Sequence, residues 1–411
     1  MKKKSAKEVK RPQDLREGNI RQLFRLLSEQ ESYTINELAA EMNLSRTAVQ
    51  NIMARLKQYG IAAESGKRSS NPQGGKRPVS FALLADYRYS VFVILSTSEI
   101  YIQVSDFLGN KVASGFVDVS GMSYEDMIAL LKTEILDMLH QHALSMERLF
   151  GIVMTVSGTV DSESGTILSF TGTNNPGKWG ENIPVVLDLR AALGFDGEIV
   201  IDALCAFSGY SCYSSLPAKD RADTCLYIMA HRLGIGAAYI RSGVIDKGAH
   251  GFLGEVGHLQ LDAGSTAVCR CGRTGCFEAM LYPETIRERV NSDERLKAAG
   301  IESIEELMLR ANEGHVRAQE EVRKIGALFA QLIYNEQLMT DPDCVILHDA
   351  YVVPCPSFRE AVMDICREKS EGFFSVPIDL HIDERDFISA VRSGAIAYLR
   401  RSYINHFQEE E

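Results

Sequence analysis

Hydrophobic and polar positions recur along this chain with two different periods, and the change of period divides it. In residues 15–28, LREGNIRQLFRLLS, apolar side chains fall at Leu15, Ile20, Leu23, Phe24, Leu26 and Leu27, a helical spacing. Thr34 and Glu37 then form a T-x-x-E capping box, which predicts a helix from there to about Met42. Asn43 and Leu44 turn the chain, and Ser45 can cap a second helix. That helix buries Val49, Ile52, Met53 and Leu56 and ends at Gly60. A short helix, a tight turn and a longer helix make a helix-turn-helix. Arg46, Thr47, Gln50, Asn51 and Arg55 are left on its outer side. The runs IAAES and PVSFALL read as short strands flanking a Gly-rich loop that carries Lys67, Arg68, Lys76 and Arg77, which completes a winged fold.

From residue 89 the period shifts toward that of strands. YSVFVILSTSEIYIQVSDFLGNKVASGFVDVS holds three β-rich runs separated by STSE and DFLGN, as in a meander. MSYEDMIALLKTEILDMLHQHA is helical in pattern, FGIVMTVSG is a buried strand, and GEIVIDALCAF is a strand leading into a helix. At TCLYIMAHRLGIGAAYIRSGVI the strand–turn–strand pattern begins again. Meander plus helices, given twice, predicts a duplicated α/β body with a cleft between its halves.

Bulk properties narrow the picture. A chain of 411 residues is too long for one core, and 45% hydrophobic with 24% charged residues is ordinary globular composition. No apolar run is long enough to cross a bilayer, and the basic N-terminus lacks the apolar segment of a signal peptide, so a cytoplasmic protein is expected. Residues 1–80 hold 16 Lys and Arg against 8 Asp and Glu; with a net charge of −11 overall, a head of +8 sits on a body of −19. A basic head on an acidic body points to nucleic acid. The outward residues fit that reading: Gln50 and Asn51 suit adenine, Arg46 and Arg55 suit guanine, and a basic hairpin suits phosphates or a minor groove.

Nine cysteines, an odd number, do not form a disulfide framework. Cys205, Cys212, Cys225, Cys344, Cys355 and Cys366 are scattered and read as small buried residues. The other three stand close to a histidine. His258, Cys269, Cys271 and Cys276 give H-x10-C-x-C-x4-C, a complete tetrahedral set for Zn²⁺ with no position left for water, hence a structural zinc. Reduced cysteines in a loop are the plain alternative. Glu255 and Glu278 frame the cluster, and carboxylates are suited to paired sugar hydroxyls.

These segments resemble the ROK family (repressor, open reading frame, kinase), built on an actin-like, ribonuclease-H-like ATPase fold. The resemblance is carried by GEVGH at 254–258, CRCGRTGCFEA at 269–279, VIDA at 200–203 and LGIGAA at 233–238, and covers nearly the whole chain. The winged head with its GGKRP looks like the repressor branch, of the xylose-repressor and N-acetylglucosamine-repressor type. The resemblance implies α/β lobes at 85–200 and 201–411 behind a winged helix-turn-helix at 1–84, with the last helix returning to the first lobe. It also implies zinc ligands at His258, Cys269, Cys271 and Cys276, and sugar contacts from Glu255, His258 and Glu278. Asp202 matches the aspartate that serves the kinases as general base. The family's two asparagines beside it are Ile201 and Leu204 here. Asn175 is a further sugar candidate, with a turn role as its equal alternative.

Three nucleotide segments depart from the kinase pattern. The Asp-x-Gly-Gly-Thr turn is Ile94-Leu95-Ser96-Thr97-Ser98, the second phosphate turn is Arg232-Leu233-Gly234-Ile235-Gly236, and the Gly-Gly pair is His348-Asp349-Ala350. The expectation is therefore a non-enzymatic, sugar-responsive transcriptional repressor that binds a double-stranded operator as a homodimer or dimer of dimers. The alternative is an ATP-dependent sugar kinase with a fused DNA-binding head.

Overall fold

The structure is a computed structural model that describes residues 12–67, 77–170, 179–215, 222–231, 234–349, 355–371 and 375–407. The head contains α1 (Pro12–Glu29), β1 (Tyr33–Thr34), α2 (Ile35–Met42), α3 (Arg46–Gln58), β2 (Ala62–Lys67) and β3 (Val79–Leu83). The capping box forms in both directions: Glu37 N–H donates to Thr34 Oγ1 and Thr34 N–H donates to Glu37 Oε2 (2.7 Å). Asn43 takes a left-handed conformation between the helices, φ 52°, and Ser45 Oγ caps α3 by accepting from Ala48 N–H. β1, β3 and β2 close a small sheet in that order, with Lys67 opposite Val79.

The first lobe runs β4 (Tyr89–Leu95), β5 (Glu99–Asp106), β6 (Lys111–Asp118), α4 (Tyr124–Gln141), β7 (Leu149–Val156), β8 (Gly158–Asp161), β9 (Thr166–Phe170), α5 (Val185–Leu193) and β10 (Glu198–Ala203). Helix α6 (Leu204–Ser215) follows at once. The second lobe runs β11 (Thr224–His231), β12 (Gly234–Arg241), β13 (Val244–Asp246), α7 (Pro283–Asn291), α8 (Glu294–Ala298), α9 (Ile304–Asn312), α10 (Val316–Thr340), β14 (Cys344–Asp349), α11 (Pro356–Ser370) and β15 (Leu380–Ile382). Helix α12 (Phe387–Asn405) closes the chain.

The two large sheets share one plan. In the first, the meander β4-β5-β6 is extended by β7 parallel to β4 and β10 parallel to β7. In the second, β11-β12-β13 is extended by β14 parallel to β11 and β15 parallel to β14. Strands β4 and β7 are buried along their whole length, as parallel strands covered on both faces must be. Helices α4 and α5 cover the outer face of the first sheet, and α7 to α11 that of the second. Strand β10 runs to Ala203, so the boundary expected after residue 200 falls inside it, and Asp202 belongs to the first sheet.

Between the sheets lie α6 and α12. Helix α6 packs on β11 and β12, while α12 packs on α6 and on β7. The two helices approach so closely that a Cβ on Gly394 would lie 1.6 Å from the carbonyl oxygen of Phe207; only glycine fits there. The core they share is continuous with that of the head. One buried cluster joins Phe92 and Val153, Phe207, Val391 and Leu399, Tyr227 and Ile240 to Leu23, Phe24 and Leu56. Phe24 of α1 is the joint: its ring lies 5.6 Å from those of Phe107 and Phe407. Arg21 Nε donates to the carbonyl of Phe407 (2.9 Å), and the hydroxyls of Tyr87 and Tyr403 are 2.9 Å apart.

Candidate functional site

On the head, the buried stripe of α3 is Val49, Ile52, Met53 and Leu56, and this fixes which residues face out. Arg46, Thr47, Gln50 and Asn51 are exposed in the N-terminal half, and Arg55 is half-buried one turn later. Lys67 ends β2 and the exposed Arg77 precedes β3; Arg68 and Lys76 lie outside the described residues.

In the body, a cleft opens between the lobes. Asp202, Glu255, His258 and Glu278 all line it. Each arrives by a different route. Asp202 is carried on β10 against Thr155 of β7, whose hydroxyl donates to the Asp202 carbonyl (2.9 Å). Asp202 Oδ1 accepts from the Ala203 N–H (2.9 Å), which fixes the rotamer. Glu255 sits on a loop pressed against β12: Ala237 N–H donates to the Gly254 carbonyl (2.7 Å). Gly254 has φ 103°, and a Cβ there would lie 2.1 Å from the Ala237 oxygen, so the loop tolerates only glycine. Glu278 is buried and accepts from the Tyr282 hydroxyl at 2.7 Å. Burial pushes the Glu255 carboxyl above its ordinary range, opposed by His258 and by the Thr159 hydroxyl. Asn175 lies outside the described residues.

Beside the cleft, His258, Cys269, Cys271 and Cys276 converge with one ligand atom each, all within 4.8 Å of one another. Cys271 Sγ lies 3.6 Å from Cys276 Sγ, and Cys269 Sγ lies 3.5 Å from His258 Nδ1. Bonds of ~2.3 Å in a tetrahedron require ligand edges of ~3.8 Å, so the set fits a single tetrahedral ion. Two short bridges, Gln260 with Cys276 and Val268 with Thr274, fold the knuckle. Burial pushes the Cys269 thiol up to about 12. Burial acts the same way on Cys271, but hydrogen bonds from the Arg273 backbone and from Cys269 and Cys276 outweigh it and hold that thiol at about 7. His258 turns Nδ1 to the sulfurs and Nε2 toward Glu255, 3.8 Å from Oε2, so one ring serves cluster and cleft.

Two cleft residues were not legible in the sequence. Lys247 Nζ lies 2.7 Å from Asp202 Oδ2, and Thr159 Oγ1 donates to Glu255 Oε1 at 3.1 Å. A lysine in a loop and a threonine on a short strand belong to no spacing pattern. Only the meeting of the lobes brings them to the acids.

The ROK family model matches residues 114–366, and an HTH domain model matches residues 19–68. The chain is 27% identical over 249 residues to the xylose repressor of Caldicellulosiruptor bescii, covering 58% of this chain and 57% of the relative's own length. It is 22% identical over 397 residues to the DNA-binding transcriptional dual regulator NagC of Escherichia coli, covering 94% of this chain and 93% of that one. Among solved structures, a ROK family transcriptional regulator, homolog of the E. coli MLC protein, superposes with a TM-score of 0.74 at 20% identity, over 95% of this chain and 96% of that one. The ROK hexokinase of Thermus thermophilus superposes with a TM-score of 0.59 at 20% identity, over 76% of this chain and 98% of that one. The fold is that of a helix-turn-helix head on an actin-like ROK body. Among the described residues no helix is long and apolar enough to cross a membrane.

Proposed function

The chain belongs to the ROK family, and from that membership we propose that it is a sugar-responsive, DNA-binding transcriptional repressor of the cytoplasm. Residues 1–84 bind a roughly palindromic operator through Arg46, Thr47, Gln50, Asn51 and Arg55 of α3. The wing, with Lys67, Arg68, Lys76 and Arg77, holds phosphates. Two chains pair through their bodies, and their recognition helices stand about 34 Å apart to enter successive major grooves. Asp202, Glu255, His258 and Glu278 bind the sugar, with Asn175 a further contact. The observation that carries the reading is the single core that runs from the cleft-lining strands through α6 and α12 to Phe24 of the head. It gives the lobes a mechanical hold on the DNA-binding unit.

Zn²⁺ held by His258, Cys269, Cys271 and Cys276 is structural in this reading. The ligand set is closed, so the ion supplies rigidity to the knuckle that carries Glu278 and fixes the His258 ring. That the body no longer phosphorylates is supported by two features. Ser96 closes the β4–β5 turn on itself, accepting from Glu99 N–H (3.1 Å) and donating to Glu99 O (2.8 Å), where a phosphate turn would offer free N–H groups. His348 is buried, its Nε2 3.0 Å from the Arg385 carbonyl, in place of glycine.

The test is a panel of sugars screened in parallel against melting temperature and operator affinity. One sugar should stabilise the chain with the logarithm of its concentration above Kd and shift operator affinity about 5–150-fold. Sustained Mg-ATP consumption that depends on Asp202 would reject the reading in favour of the kinase.

A further inference from the structure

We propose that Lys247 and Thr159 form an interlobe clasp over the effector cleft, and that a sugar acts by taking over the carboxylates they hold. The proposal rests on the functional reading above and names the regulation of that same cleft. Asp202 belongs to the first sheet, while Lys247 follows β13 of the second. Their 2.7 Å ion pair therefore crosses from lobe to lobe. Glu255 belongs to the second lobe and Thr159 to β8 of the first, so the 3.1 Å hydrogen bond between them crosses in the opposite sense. Both acids assigned to the sugar thus serve as fasteners. Their remaining oxygens are also committed: Asp202 Oδ1 to the Ala203 N–H, and Glu255 Oε2 toward His258.

The ion pair is well shielded. The Asp202 side chain is 10% exposed and that of Lys247 33%, so water screens the pair less than it screens surface charges. A ligand shifts a conformational equilibrium only by binding one state better than the other. Sugar hydroxyls donating to Asp202 and Glu255 compete with Lys247 Nζ and the Thr159 hydroxyl for the same oxygens. Binding therefore replaces the two direct ties by contacts through the ligand, and the lobes take up the spacing that the ligand sets. Because α12 packs on β7 of the first lobe, reaches the Gly243 carbonyl of the second through Arg401 and meets α1, the change reaches the head.

The experiment uses the full chain with nitroxide labels on keto amino acids placed at exposed Leu187 on α5 and Met339 on α10, one per lobe. Lys247→Met removes the ammonium and keeps the stem, Thr159→Val removes the hydroxyl at nearly constant shape, and Lys247→Arg keeps a cation. With no sugar added, Lys247→Met should lengthen and broaden the interlobe distance distribution and move operator affinity toward the value that wild type reaches with sugar. Its sugar affinity should rise roughly 3–30-fold. Thr159→Val should act in the same direction more weakly, and Lys247→Arg should restore wild-type behaviour. A wild-type distance distribution in both Lys247→Met and Thr159→Val, or weaker sugar binding in Lys247→Met, overturns the clasp. If wild type binds none of the sugars, the functional reading fails, while the distance measurement still decides the clasp; if Lys247→Met does not fold, Thr159→Val decides it.

Discussion

The outer face of α3 and the cleft between the lobes are both polar surfaces, yet they are assembled in opposite ways. On α3, Arg46, Thr47, Gln50 and Asn51 come from one short stretch and stand exposed, with a buried stripe beneath them. In the cleft the acids come from separate segments and are already engaged: Asp202 with Lys247, Glu255 with Thr159, Glu278 with Tyr282. In the function proposed here, the contrast separates two kinds of selectivity. Exposed side chains keep their rotamer freedom until docking and select by what they reach. Engaged acids select by what can replace their partners, since a buried acceptor left unsatisfied is costly.

The largest test of this contrast removes the metal cluster. Cys276→Ala should lose zinc, lose the sugar response and lower the melting temperature. A drop of about 5 °C is expected if ~4 kcal/mol of the metal's contribution is lost. Calorimetry with elemental analysis checks it, and an unaltered sugar response would show that the cleft does not lean on the knuckle. Next, Asp202→Ala should abolish the sugar response, removing a coupling of about 1–3 kcal/mol, while operator binding persists at an affinity shifted, as in Lys247→Met, toward that of sugar-bound wild type. A gel-shift titration with and without sugar reads both; a full response would put the pocket elsewhere. Of similar or smaller size is Arg46→Ala or Gln50→Ala, each expected to weaken specific operator binding by about 1–3 kcal/mol. Zinc content and sugar-induced stabilisation should stay as in wild type, and a change in either would break the separation of the two surfaces. The smallest effect is expected of Arg77→Ala, which should flatten the salt dependence of binding by about one unit of slope and leave sequence preference intact.

How far each surface could be read from the sequence follows from the same contrast. The head was legible because its determinants are local: a T-x-x-E box, a serine cap and a period of 3.6 each act within a turn or two of chain. The four candidate metal ligands were legible because donor chemistry and spacing coincide in one loop. The cleft was legible only in part. Asp202, Glu255 and Glu278 stood out through a resemblance, whereas Lys247 and Thr159 acquire their roles solely from tertiary meeting. The lobe boundary was misplaced because β10 passes into α6 with no glycine or proline to mark the change. Helix α12 was expected only through the resemblance, since its own pattern gives little signal. Wedged between a sheet and another helix, it buries Ala390, Val391, Gly394, Ile396 and Leu399 around much of its circumference and shows no clear single stripe.

The Phe24 joint constrains how such a chain can evolve. Its ring is completed by Phe107 of the first lobe and by Phe407, beyond the last turn of α12, nearly a full chain length away. A head transplanted from a relative would bring its own knob and meet a socket shaped for another. New operator preferences are thus more accessible through substitutions on the far side of α3 than through exchange of whole heads, and the segments that carry Phe24 and Phe407 are bound to drift together.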